Sequence, residues 1–189
     1  MKNNKILALY KLKQSVFTVN EVAIIWQAEN SQNLKSKIKY YTDKGELIRL
    51  RRGIYAKRDY SKFELATKIY KPSYISFQTV LRQAGMIFQY YEKFFVASYL
   101  SREIGLARHT IEYHKIKNEI LLNSQGIIQK NHYAIASPER AFLDTIYLYG
   151  DYYFDNLESI NWEQCFELIK IYKNKKMEKN LEDYYQKYA

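Results

Sequence analysis

Arg49, Arg51 and Arg52 stand within the stretch "GELIRLRRGIYA", residues 45–56. Like charges that close together repel, so such a segment calls for water or an anion beside it. Strand alternation would put Leu47, Arg49 and Arg51 on one face and Ile48 and Leu50 on the other. Arg52-Gly53 reads as a tight turn, and Ile54-Tyr55-Ala56 as the returning strand. Just upstream lies "SQNLKSKIKYYTDKG", residues 31–45. Leu34, Ile38 and Tyr41 are spaced four and three apart and form the buried stripe of a helix. Gln32, Ser36, Lys39 and Tyr40 point the opposite way, with Asn33, Lys35 and Lys37 on the flanks. Amides and lysines are the groups that reach base edges, and lysines and hydroxyls are the groups that hold phosphates. The chemistry these residues suit is noncovalent recognition of duplex DNA.

Covalent and metal chemistry find little support. His109 and His114 are five apart in a strand-like segment, so they alternate faces and do not make a zinc-binding pair. His132 stands alone. Cys165 lies in a helical pattern beside Phe166, where packing is the better reading. The six glycines are scattered and form no phosphate-cradling loop. Glu139 and Asp144, five apart on one helix, point about 140° from each other and are not paired carboxylates. Their expected roles are a cap and surface charge for Glu139, and an anchoring salt bridge or turn contact for Asp144. The expectation is a protein that is not an enzyme and takes no cofactor or metal.

The elements that must position the recognition groups are legible in order. A first helix has Ile6, Leu9, Tyr10 and Lys13 at helical spacing. Thr18 with Glu21 makes a capping box for a second helix, which carries Val22, Ile25 and Trp26 on one face. Asn30 or Ser31 can cap the third helix, and Gly45 suits the left-handed position past its end. Helix, helix, polar-basic helix and basic hairpin is the order of a winged helix-turn-helix. The third helix would enter the major groove, and the hairpin would lie along the phosphate backbone. Charge agrees: residues 1–60 hold 13 Lys+Arg against 5 Asp+Glu, and residues 61–189 hold 17 against 15.

The rest of the chain alternates helix and strand patterns. Asp59 and Ser61 can cap a helix carrying Phe63, Ala66 and Ile69/Tyr70, which Pro72 breaks. Ser76 can cap the next one, with Val80, Leu81 and Ala84 inward and Gly85 at its end. "FFVASYL", "HTIEYHKI" and "GIIQKNHYAIA" read as strands bounded by Gly105, Asn123-Ser124 and Gly126. Ser137 caps a helix with Pro138 at its first position, and two more amphipathic helices follow. The expected fold class is α+β, with a winged helix-turn-helix over 1–58 and a mixed domain with a small sheet and flanking helices over 59–189. One cysteine excludes an intramolecular disulfide and fits a reducing cytosol. The apolar run in "MKNNKILALYKLK" is too short for a signal-peptide core, and no stretch approaches the ~20 residues of a membrane span. The expected location is the cytoplasm.

In order and spacing, the basic helical segment, "GELIRLRRGIYA", "KPSYISFQTVLRQAG" and "ASPERAFLDTIY" resemble the AbiEi-type antitoxins over most of the chain, from about residue 5 to about 150. The wing pattern of that family is matched by Arg51, Arg52, Gly53, Ile54, Tyr55 and Ala56. A second pattern is matched by Pro138, Glu139, Arg140, Ala141, Phe142, Leu143 and Asp144. The resemblance implies a winged helix that represses its own operon on operator DNA, as a possible homo-oligomer. It also implies a C-terminal domain that counters a nucleotidyltransferase-like toxin of a type IV, abortive-infection system. The alternative reading is a winged-helix regulator whose C-terminal part binds a small ligand or peptide.

Overall fold

The structure, a computed structural model, describes residues 5–106 and 108–188. The first four residues of the lysine-bearing start lie outside the described residues. The chain is α+β and divides into two compact units, Met1–Ile69 and Tyr70–Ala189.

In the first unit, α1 (Lys5–Tyr10) leads through β1 (Val16–Thr18) to α2 (Val19–Ile25) and α3 (Ser31–Asp43). The hairpin β2 (Ile48–Arg51) and β3 (Ile54–Ala56) follows, and then α4 (Lys62–Ile69). The three strands form an antiparallel sheet in the order β1-β3-β2. Ile6, Leu9, Phe17, Val22, Trp26, Leu34, Ile38 and Leu47 make one buried cluster that joins α1, α2 and α3 to the sheet. The helix starts are set locally. The Glu21 carboxylate accepts from the Thr18 amide at 2.8 Å, and the Thr18 hydroxyl accepts from the Glu21 amide at 3.2 Å. Asn30, rather than Ser31, caps α3, its side chain accepting from the Gln32 amide at 2.7 Å.

The boundary falls after Ile69 and not at residue 58, because α4 is bonded to the first unit. Glu64 is buried and accepts three hydrogen bonds, from the Ser15 amide at 2.9 Å, the Ser15 hydroxyl at 2.6 Å and the Val16 amide at 3.0 Å. One turn on, Lys68 pairs with Glu21 at 2.8 Å, so the capping carboxylate of α2 also holds α4. β1 has three residues, too few to show a period in the sequence.

The second unit runs β4 (Ser73–Ile75), α5 (Phe77–Gln83), β5 (Lys93–Ser98), β6 (Arg102–Leu106), β7 (His109–Lys115) and α6 (Asn118–Leu121). It continues with β8 (Ile127–Lys130), β9 (Tyr133–Ala136), α7 (Pro138–Tyr149), α8 (Trp162–Leu168), a 3₁₀ turn (Ile169–Tyr172) and α9 (Lys175–Tyr188). Its sheet has the order β6-β7-β5-β4-β9-β8. β5 and β7 run parallel, as do β4 and β9, and the other neighbours are antiparallel. β4 is internal to the sheet, yet in sequence "KPSYIS" reads only as a break between helices. Gly105 lies inside β6 and does not bound a strand. Ser76 sits at the cap position of α5 without a capping bond, because its hydroxyl donates to Asp144 at 2.8 Å.

Glu64→Gln keeps the size of the side chain but replaces an acceptor-only group with one that also donates. The expected cost is about 2–4 kcal/mol in a urea titration of the full chain. A change below the scatter of the titration would mean that the three donors find other partners and that Glu64 does not hold α4 in place.

Candidate nucleic-acid interface

α3 buries Leu34 and Ile38 and packs the half-buried Tyr41 against the same cluster, with its ring 5.6 Å from that of Trp26. Gln32, Asn33, Lys35, Ser36, Lys37, Lys39 and Tyr40 are all exposed. Gly45 ends the helix at φ +68, and the Glu46 and Leu47 amides donate back to the Tyr41 carbonyl at 2.9 and 3.1 Å. Lys39 pairs with Asp43 at 2.7 Å across one turn, an exposed pair that water screens and an anion can replace. The Lys44 ammonium lies 4.5 Å from the centroid of the Tyr40 ring. Nothing in the sequence singles out Lys44, because its place before Gly45 signals a helix end and nothing more.

Arg49, Arg51 and Arg52 are exposed, but Arg49 and Arg51 do not share a face. Ile48 pairs with Ala56, Arg49 with Tyr55, and Arg51 with Ile54, so β2 advances two residues where β3 advances one. The extra residue is Leu50, and the bulge breaks the alternation. Leu47 lies before the strand and is buried in the core, while Ile48 is exposed. The turn uses Gly53 at φ +82. Its carbonyl accepts from the Val19 amide at 3.1 Å, tying the hairpin tip to the start of α2. At the other end Arg58 donates through Nε to the Gly45 carbonyl at 2.9 Å and ties the hairpin base to the end of α3. Helix and hairpin are thus held by bonds to the backbone while their cationic side chains stay in water. Residues 1–69 hold 15 Lys+Arg against 6 Asp+Glu, and residues 70–189 hold 15 against 14.

The charged groups that stand out in the sequence of the second unit are mostly buried. Glu139 is not surface charge; it is buried, at 3.4 Å from the Asn161 amide. Arg140 and Asp144, one turn apart on α7, are both fully buried and pair at 3.3 Å. Arg140 also donates to the carbonyls of Ile120 at 2.7 Å and Gln125 at 2.8 Å, and to the Tyr74 hydroxyl at 3.1 Å. Asp144 accepts from the hydroxyls of Tyr172 at 2.6 Å, Ser76 at 2.8 Å and Tyr74 at 3.0 Å. Burial, with the Asp144 charge adding to it, pushes both phenols well above their ordinary pKa. They therefore stay protonated and keep donating. Burial opposes the Arg140 charge, but the Asp144 carboxylate and the bond to the Tyr74 oxygen outweigh it and raise its pKa. The arrangement joins β4, the end of α6, α7 and the 3₁₀ turn.

His114 stacks on Phe95 with ring centroids 5.9 Å apart, and burial pushes its pKa down. His109 lies against Phe94. Cys165 is fully buried, and burial raises its thiol pKa. Among the described residues no three His, Cys, Asp or Glu side chains are grouped to hold a metal ion, and no helix is long and apolar enough to cross a membrane. No protein-family model matches the chain, and neither does any curated protein.

Asp144→Asn removes the counter-charge and leaves Arg140 buried, which should destabilise the protein by about 3–5 kcal/mol. Tyr172→Phe removes one of the three hydroxyl donors to Asp144 and should cost about 1–2 kcal/mol. Denaturant titration of both variants checks the order; equal, small effects would show that the carboxylate is not organised around Arg140.

Proposed function

We propose that this protein binds duplex operator DNA as a winged helix-turn-helix. α3 would enter the major groove, and the β2–β3 hairpin would act as the wing. The observation that carries the reading is the exposure of all ten expected side chains on the unit that bears most of the net charge. The order of helices and strands, with β3 between β1 and β2, supports the same reading. So does the anchoring of both ends of the hairpin to the helices. The similarity of motif order to AbiEi-type antitoxins extends it to an autorepressor and antitoxin that counters a nucleotidyltransferase-like toxin. The protein would work in the cytoplasm without catalysis or cofactor.

One observation favours a second reading, in which the second unit binds a peptide or small ligand. Phe88 and Tyr153 are 71% and 74% exposed and line a cavity of about 360 Å³. The neighbouring genes separate the two readings: a nucleotidyltransferase gene beside this one supports the antitoxin, and its absence supports the ligand-binding regulator.

Affinity for the upstream duplex should fall steeply with salt, with a log–log slope of roughly −0.9 for each phosphate neutralised. A gel-shift titration at two salt concentrations measures it, and binding indifferent to salt would remove the basis of the proposal.

Arg49/Arg51/Arg52→Ala should weaken binding to operator and random DNA alike, because bonds to phosphate carry no sequence information. Changes at Gln32, Asn33, Ser36 or Lys39 should instead erode operator preference, by about 1–3 kcal/mol for each bidentate hydrogen-bonded pair with a base that the change removes. In cells, the triple arginine variant should lose repression and keep protection from the toxin. Loss of protection in a variant with an unchanged circular dichroism spectrum would mean that antitoxicity itself works through the basic unit.

A further inference from the structure

A cavity of about 250 Å³ opens where the start of α1, the α2–α3 turn and the first turns of α3 meet. Lys5, Trp26, Asn30, Asn33 and Lys37 line it, with Glu29 as the one carboxylate in the lining. Asn33 and Lys37 are exposed and one helical turn apart, so both side chains stand on the same side of α3. Asn30 uses its side-chain oxygen to cap α3, which leaves its amide nitrogen for another acceptor. Lys5 donates to the Trp26 carbonyl, so the ammonium is held beside that residue.

Trp26 is 2% exposed, and its Nε1–H has no acceptor among the described residues. A buried donor without a partner is costly, and proteins seldom leave one beside a cavity unless something supplies the acceptor. Two ammoniums, the carboxamides of Gln27, Asn30 and Asn33, and a tryptophan whose indole N–H is unmet make a lining with more donors than acceptors. Glu29 is exposed, where its charge is screened by water. A ligand that satisfies this set must be an anion with several acceptor oxygens.

We propose that the cavity is a binding site for a tetrahedral phosphate oxyanion, filled in the working protein by a backbone phosphate of the duplex. The chemistry rests on the donors alone, and the source of the phosphate rests on the DNA reading above. A phosphate seated here would fix the register of α3 in the groove from its N-terminal end, while the hairpin arginines hold the strand beyond its C-terminal end.

The two tryptophans give the experiment its internal control, since Trp162 lies in the second unit. In the full chain labelled with ¹⁵N, sodium phosphate is titrated against sodium chloride of equal ionic strength. The Trp26 indole resonance should move and saturate while that of Trp162 stays still. Lys37→Gln, at an exposed position outside the core, should weaken the phosphate effect about tenfold and reduce the salt slope of DNA binding by about 1. Adding the duplex instead of phosphate should move the same resonance. A Trp26 resonance unmoved by phosphate, or moved equally in Lys37→Gln, overturns the site whether or not DNA binds elsewhere. If phosphate moves Trp26 and a bound duplex does not, the site takes free phosphate and the assigned source is wrong. A chain that responds to phosphate but binds no duplex keeps the site and overturns the DNA reading.

Discussion

A carboxylate taken out of water must be surrounded by donors, and each unit is organised around one that is. In the first, Glu64 of α4 gathers the Ser15 and Val16 amides and the Ser15 hydroxyl, and so fixes where β1 starts. In the second, Asp144 of α7 gathers hydroxyls from Tyr74, Ser76 and Tyr172 while Arg140 balances its charge. In both cases the donors come from segments distant in sequence. Satisfying one buried group therefore selects one arrangement of several elements, more sharply than apolar packing does alone.

That distance also explains what could be read from the sequence. Helix starts were legible because their signals are local: Thr18 with Glu21, Asn30 before α3, and Ser137 with Pro138 before α7. The exposed face of α3 was legible as the complement of Leu34 and Ile38. β3 was legible only through the Arg52-Gly53 turn before it, whereas β1 and β4, also of three residues, belong to no hairpin of their own and only distant partners make them strands. The roles of Glu64 and Ser76 were hidden for the same reason: each depends on a group dozens of residues away. The bulge at Leu50 was hidden too, since a slip in register belongs to a pair of strands and leaves no mark in either.

The first unit separates what is fixed from what is free. Its backbone is tied at the Gly53 carbonyl by the Val19 amide, at the Gly45 carbonyl by the Arg58 guanidinium, and at the cap of α2 by the Glu21 carboxylate. The lysines on the outer face of α3 and the arginines of the hairpin extend from that frame into water. Lys39 is partnered on the exposed side of α3 by Asp43, a neighbour on the same helix, so the pair draws nothing from the core. Such a surface carries its like charges on short elements fixed by their backbone bonds.

The order β1-β3-β2 leaves β2 with one row of backbone groups unpaired within its sheet. An open row of this kind invites a strand from another molecule, and small sheets with bare margins tend to aggregate. Here the bulge interrupts the even spacing that a guest strand would need, and the arginines repel an incoming copy that carries the same charges in the same place. The bulge and the arginines thereby make this margin a poor template for a further strand, while its side chains remain open to solvent.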